Sequence, residues 1–227
     1  MRKIKNDEVT VAICVRNGEK YIEEAIISAE GQSVAPFQIL VIDDGSQDLS
    51  ATIAEKKGCT VFRQNPIGLG AARNSALKNA VSPWVFFLDA DDLMTENALL
   101  YLLTAASANR SVVGVSGFRR NFISPELQQT LRLVDGKALD AESSHLPSGS
   151  LWKSENSLLP PFEESSNIAD LEWMMRLRNG NYALAQTDET VLLRRIHLDN
   201  HSYTQDYKNA CLDLAIRKIR RGKQSSE

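Results

Sequence analysis

Val9 to Val15 (VTVAICV) carries seven residues that are nearly all β-branched or small and apolar, without polar alternation. Such a run predicts a strand covered on both faces. Arg16-Asn17-Gly18 ends it. Tyr21, Ile22, Ala25, Ile26 and Ala29 then fall at helical spacing with Glu19, Glu23, Glu24 and Glu30 between them, which predicts an amphipathic helix closed by Gly31. Phe37 to Ile42 reads as a second buried strand, and Asp48 and Ser50 suit the start of a helix reaching Lys57. Cys59 to Arg63 reads as a third, short strand. Gly68-Leu69-Gly70 turns into an alanine-rich helix to Val81, and the apolar run from Pro83 to Leu88 predicts another buried strand. A helix from Thr95 to Ser107 and a strand from Ser111 to Phe118 follow.

Strand alternating with helix in this way predicts an α/β fold, with a mostly parallel central sheet, right-handed crossovers and flanking helices. Beyond Phe118 the pattern fades. Residues Arg119 to Pro147 read as loop, and Leu151 to Leu159 fits neither period. Ala169 to Leu177 predicts a helix ending at Asn179-Gly180, Glu189 to Arg195 a weakly alternating strand, and Tyr203 to Arg221 an amphipathic terminal helix.

At Leu88 the polarity inverts into Asp89-Ala90-Asp91-Asp92. Three carboxylates in four positions do not fit a dry core, so the strand ends where water, a cation or a ligand reaches them. On extended backbone Asp89 and Asp91 point to the same side and can share one divalent ion, whose hard oxygen preference suits Mg²⁺ or Mn²⁺. An isolated D-x-D before a helix ordinarily does no more than cap it. Here a second pair, Asp43-Asp44, also follows a strand directly. In a parallel sheet Asn17, Asp43, Asp44, Arg73, Asp89, Asp91 and Asp92 then gather at one edge, the edge at which open α/β sheets bind ligands. The helix after Gly68-Leu69-Gly70 offers first-turn amides as an anion site, with Arg73 as a fixed positive charge.

Composition narrows the class. The 227 residues are 43% hydrophobic and 24% charged, with a net charge of −3, as in an ordinary globular protein without a basic field to recruit nucleic acid. The three cysteines, Cys14, Cys59 and Cys211, form no C-x-x-C pair, which fits a reducing cytoplasm. The first eight residues lack the apolar core of a signal peptide, and no uncharged run has membrane-spanning length.

The ordered motifs are Asn17, then Val41-Ile42-Asp43-Asp44-Gly45-Ser46, then Gly68-x-Gly70-x-x-Arg73-Asn74, then Phe87-Leu88-Asp89-Ala90-Asp91-Asp92. They are followed by Asp170-Leu171-Glu172-Trp173 and Arg194-Arg195-Ile196-His197-x-x-Asn200. Together they resemble family 2 glycosyltransferases of the GT-A fold, throughout residues 9–117 and more loosely beyond. The resemblance implies inverting transfer of a sugar from a nucleotide diphosphate donor to a saccharide, lipid-linked or other acceptor, with Mn²⁺ or Mg²⁺ bound. It implies Cys14, Asn17, Asp43 and Asp44 around the base and ribose, Arg73 near base or phosphates, and Arg195 among the donor contacts. Asp89 would touch ribose or ion, Asp91 would ligate the ion, and His197 would reach the metal or the diphosphate. Asp170 and Glu172 compete for the role of catalytic base.

Two departures stand out. Cys14-Val15-Arg16-Asn17 replaces the Pro-x-Tyr-Asn of many members, and Ala169 replaces the first acid of the usual Glu-Asp pair. Absence of Gln-x-x-Arg-Trp points to single transfer rather than polymerisation. The expected organisation is an N-terminal tail (1–8), one domain (9–202) with a donor half (9–117) and an acceptor half (118–202), and a terminal helix with a basic tail (203–227). The run Arg217 to Lys223 is either a weak contact for anionic lipid or a solvated helix end. A nucleotidyltransferase and an inactive donor-binding scaffold are the competing readings. The first lacks a glycine-rich basic loop after the first strand, and the second draws on Ala169.

Overall fold

The structure is a computed structural model describing residues 8–128, 141–143, 146–155, 158–198, 200, 205–206 and 208–211. Its first half follows the expected alternation: β1 (Val9–Val15), α1 (Ile22–Glu30), β2 (Gln38–Asp43), α2 (Ser50–Lys56), β3 (Thr60–Arg63), α3 (Leu69–Asn79) and β4 (Trp84–Asp89). The second half holds β5 (Leu93–Met94), α4 (Ala98–Ala108), β6 (Gly114–Ile123), α5 (Pro125–Gln128), β7 (Ala141–Ser143), β8 (Ser150–Lys153), α6 (Ala169–Asn179) and β9 (Leu184–Ile196).

Among the described residues the strands form one sheet in the order β3-β2-β1-β4-β8-β6-β9-β5, with β7 added beside β6. The four strands β3, β2, β1 and β4 are parallel. Beyond β4 the sheet is mixed, because β8 runs antiparallel to both β4 and β6 while β9 runs parallel to β6. Register matters at the upper edge. Cys14 lies beside Asp89 and Val15 beside Asp43, so β1, β2 and β4 end level and deliver their polar residues together.

Alternation along β1 and β4 divides the core. Val11, Ile13, Phe86 and Leu88 pack with Ile22, Ile26, Leu99 and Leu102 of α1 and α4. Ala12, Val85 and Phe87 face the other way, against Ala72, Ala76, Trp152 and Trp173. Fully burying each large side chain of this kind contributes about 1.5–3 kcal/mol. Trp173 is wedged between Trp152 and Phe162, with ring centroids 4.6 and 4.3 Å away, and its indole N–H donates to the Pro160 carbonyl. That wedge fixes α6 against the sheet and brings the start of α6 to the sheet's upper edge.

Three expected boundaries move for identifiable reasons. The helix expected from Thr95 begins at Ala98, because Thr95 donates to Val191 and Thr190 and leaves Leu93 and Met94 to pair with β9. The strand expected to stop at Phe118 continues to Ile123, and α5 and β7 also fall within the stretch expected to be loop. Register shifts on either side of Phe118 break the polar alternation there, so this part of β6 has no clean period to read. Strand β9 likewise begins at Leu184, before Glu189. Only 205–206 and 208–211 of the terminal helix are described; its basic run and residues 1–7 lie outside the described residues. Among the described residues no helix is long and apolar enough to cross a membrane.

Candidate active site

Two loops at the sheet edge are clasped by their own side chains. Asn17 sits at φ 55°. Its N–H donates to Ser46 Oγ at 2.9 Å, and its Oδ1 accepts the Gln47 N–H at 2.8 Å. The Gly18 N–H donates to Ser50 Oγ, while Glu19 and Asp48 exchange bonds across the loops: the Glu19 N–H to Asp48 Oδ2 and the Leu49 N–H to Glu19 Oε2. Asn17, expected at the base and ribose, thus spends its amide oxygen on the clasp. Asp43 Oδ1 accepts the Ser46 N–H at 3.0 Å, closing the loop three residues on.

Asp44 is buried at 4% exposure and accepts three bonds, from the Ile67 and Gly68 main-chain N–H groups and from Gln64 Nε2. Both main-chain donors lie ahead of the first turn of α3, which begins at Leu69, so the Asp44 carboxylate braces the loop that leads into the helix. Gly70 serves close packing: a Cβ there would meet the Glu163 carbonyl oxygen at 2.0 Å.

The Asp89 to Asp92 turn gives its three carboxylates three separate partners. The Asp92 N–H closes onto the Asp89 carbonyl, so the backbone turns after Asp89 instead of running on extended as expected. Asp89 accepts from Arg73 Nη2 at 3.1 Å, Asp91 Oδ2 lies 2.8 Å from His197 Nε2, and Asp92 accepts the Arg195 N–H at 2.9 Å. Burial, joined by the charges of Asp91 and Asp89, pushes the Asp92 carboxyl well above the usual range. Burial also pushes Asp89 up, against the pull of Arg73.

Arg73 is wholly buried. Its guanidinium lies 4.9 Å over the Phe87 ring and grips Asp170 in a two-pronged pair, Nε to Oδ1 and Nη2 to Oδ2, both at 2.7 Å. Burial opposes the charge, but Asp170 and Asp89 outweigh it and push the Arg73 pKa up. Arg73 Nη1 is buried without a hydrogen-bond partner. Arg73, expected near base or phosphates, is a buried bridge between two carboxylates in this structure. Cys14 lies beneath it, its thiol pushed up to about 12 by burial.

Glu172 stands two residues beyond Asp170. Such positions on a helix point to different sides. Glu172 has a buried Oε2 with no hydrogen-bond partner, apart from the Arg73 bridge. Asp170 is joined to the edge cluster through Arg73.

Arg195, expected among the donor contacts, is 2% exposed. Its guanidinium is held between the rings of Tyr21 and Phe122, each 4.7 Å away, and donates to the Asp91 carbonyl and to Glu24 Oε2. Arg195 thus stands in this structure as a tether between the Asp91 main chain and Glu24. Sequence reasoning assigned no role to Glu24 or Tyr21, which look like ordinary positions of an amphipathic helix, nor to Ser148, whose hydroxyl accepts the Asp89 N–H. Asn200 stands in the quoted motif and proves central, donating to Asp91 Oδ2 and accepting the His197 N–H.

Among the described residues no group of three or more His, Cys, Asp or Glu side chains is arranged to hold a metal. Asp91 and His197 supply two donor atoms 2.8 Å apart. A divalent ion of the Mg²⁺ type takes one or two protein ligands and completes its shell with phosphate oxygens and water. The pair fits an ion of that type.

Residues 10–163, more than half of the chain, match the sequence profile described as Glycosyl transferase family 2. Among curated relatives, the chain is 33% identical over 122 residues to a cholesterol galactosyltransferase of Borreliella burgdorferi, covering 52% of this chain and 34% of that one. It is 30% identical over 131 residues to EpsJ of Bacillus subtilis, an uncharacterized glycosyltransferase, covering 53% of this chain and 38% of that one. The chain thus spans little more than a third of these relatives. Among solved structures, S. aureus TarS 1-349 in complex with UDP-GlcNAc superposes with a TM-score of 0.66 at 21% identity, over 87% of this chain and 61% of that one. Glucosyl-3-phosphoglycerate synthase from Mycobacterium tuberculosis, with Mn²⁺, UDP and phosphoglyceric acid, gives 0.63 at 18% identity, over 88% and 75%. These are GT-A folds, and the central sheet with its flanking helices is the same architecture. The chain belongs to glycosyl transferase family 2.

Proposed function

We propose that this chain is an inverting, metal-dependent glycosyltransferase that moves a sugar from a nucleotide diphosphate donor to an acceptor nucleophile, in the making of a polysaccharide or glycoconjugate. One observation carries the reading. Asp170 and the Asp91–His197 pair lie at the same sheet edge, joined through Arg73, Asp89 and the Asp89 to Asp92 turn. Transfer from such a donor needs those two parts, a carboxylate to take the acceptor's proton and a site for the cation that neutralises the leaving diphosphate. Asp170 retains free lone pairs beside its two bonds to Arg73, so it accepts an acceptor hydroxyl without losing its orientation. Asp170 rather than Glu172 is the base.

Asp91 and His197 would hold the ion, and the imidazole nitrogen in that set favours Mn²⁺ over Mg²⁺. The UDP and UDP-GlcNAc of the structural neighbours support a uridine nucleotide donor. Acceptor choice belongs to residues 118–202, where segments over a fixed scaffold vary most freely. The site of action is the cytoplasmic side, without a membrane span in the described part.

The test is thermal melting with nucleotide diphosphates and nucleotide sugars, with and without Mn²⁺, followed by turnover of the stabilising donor. A ligand at 100 times its dissociation constant stabilises by about 2.7 kcal/mol. A Mn²⁺-dependent shift for a uridine nucleotide, lost in Asp91→Ala, with turnover lost in Asp170→Asn, is the expected result. Cooperative melting that no nucleotide shifts would overturn the donor site, and full turnover in Asp170→Asn would overturn the base.

A further inference from the structure

We infer that Arg195, Asn200 and Glu24 are positioning residues for the Asp91–His197 ion site, acting through Asp91 and the His197 main chain without touching the donor. This rests on the reading of Asp91 and His197 as cation ligands. The two come from chain segments 106 residues apart, one on the turn after β4 and the other just past β9. Main-chain pairing between β5 and β9 stops at Leu93 and Leu193, short of both. Something else must hold them together.

Arg195 is built for that. Its main-chain N–H reaches Asp92 Oδ1 and its Nε reaches the Asp91 carbonyl, both at 2.9 Å, so one residue fastens the end of β9 to two consecutive residues of the turn. Tyr21 and Phe122 confine the guanidinium plane from both faces, and Glu24 receives Nη2 at 2.8 Å, which ties the assembly to α1. Asn200 completes it from the other side. Its Oδ1 accepts the His197 N–H at 2.7 Å, while its Nδ2 donates to the Arg195 carbonyl and to Asp91 Oδ2. One amide therefore orients both the segment that carries the imidazole and the carboxylate oxygen that faces it. Groups that orient metal ligands in this way change metal affinity by about 10- to 100-fold when removed.

The experiment measures Mn²⁺ binding at saturating UDP, from the electron paramagnetic resonance signal of free Mn²⁺, beside metal-free UDP binding and the melting temperature. The variants are R195K, N200A and E24Q. Lysine keeps the charge of Arg195 but loses the flat, several-pronged donor. R195K and N200A are expected to weaken Mn²⁺ binding about 10- to 100-fold while metal-free UDP binding stays at its wild-type value. The Glu24 side chain is 56% exposed, so E24Q folds and weakens Mn²⁺ binding in the same direction. Wild-type Mn²⁺ affinity in folded variants, or lowered melting temperature as the sole change, overturns the inference. Equal loss of metal-free UDP and Mn²⁺ binding in R195K makes Arg195 a donor contact and overturns it as well. Wild-type protein that binds UDP but no Mn²⁺ overturns the cation site itself.

Discussion

Arg73→Met removes the cation that two carboxylates share while keeping a long apolar chain over Phe87. Removing one partner of a buried ion pair costs about 3–5 kcal/mol, because the charge left behind has lost its compensation. Here the abandoned partners are not sealed: the Asp170 side chain is 18% exposed and that of Asp89 37%. Water reaches both, and methionine restores packing against the ring, so the cost falls to about 2–3 kcal/mol. For a chain of this size that is a drop in Tm of roughly 5–10 °C. Urea unfolding at pH 7, followed by far-ultraviolet circular dichroism, measures it. The decisive comparison is the double variant R73M/D170N. If the penalty is uncompensated charge, neutralising Asp170 returns part of it, and the double variant is more stable than R73M, by a coupling of about 0.5–3 kcal/mol. A loss below about 0.5 kcal/mol in R73M, or simple additivity of the two substitutions, would refute the reasoning.

Two further outcomes follow from the same geometry. Burial pushes Cys14 up to about 12 and Cys59 up to about 11, so at pH 8 roughly one Cys14 thiol in 10,000 is ionised. Labelling of folded protein with a thiol reagent should leave Cys14 unmodified and accelerate as pH rises; prompt modification of Cys14 at pH 8 contradicts this. Burial opposes the charge on Asp48, but bonds from the Ser50 hydroxyl and from the Glu19 and Ser50 N–H groups outweigh it and lower its pKa. D48A should therefore cost about 1 kcal/mol at pH 7, where the carboxylate is ionised. Stability from a lowered carboxyl pKa is present above the unfolded value and is lost as pH falls through the folded one. Wild type and D48A should converge below pH 3.8, and a difference that is constant from pH 7 to pH 3 rules out this account.

The legible part of the fold was the part with an unbroken period. Strands β1, β2 and β4 are buried on both faces, so their apolar runs are continuous, and the helices between them bury a single stripe. Strands β6 and β9 are a different case. Their pairing slips beside Phe118, and residues such as Arg119, Arg120 and Arg194 lie within it, so β6 past Phe118 read as loop and β9 only as a weak strand from Glu189, although the two pair along nine registered positions. Short strands with antiparallel partners, β5 and β8, are set by the neighbours that claim them, and nothing in two or four residues announces that.

The site divides along the same physical line. That carboxylates gather where β2 and β4 end follows from strand direction and the cost of burying charge, and sequence carries both. Which partner each carboxylate takes does not follow, because Asp170 meets Arg73 across 97 residues and Arg195 meets Glu24 across 171. A motif read as one ligand surface, Asp89 to Asp92, is divided by a single turn among a bridge to Arg73, a pair with His197 and a buried tether. Arg73 and Arg195, the two cations expected to meet the donor, have their charge taken up by carboxylates before any donor arrives. Under the proposed function, attraction for a diphosphate would then rest on a cation held by Asp91 and His197, the element that would make an acidic sheet edge receptive to an anionic ligand.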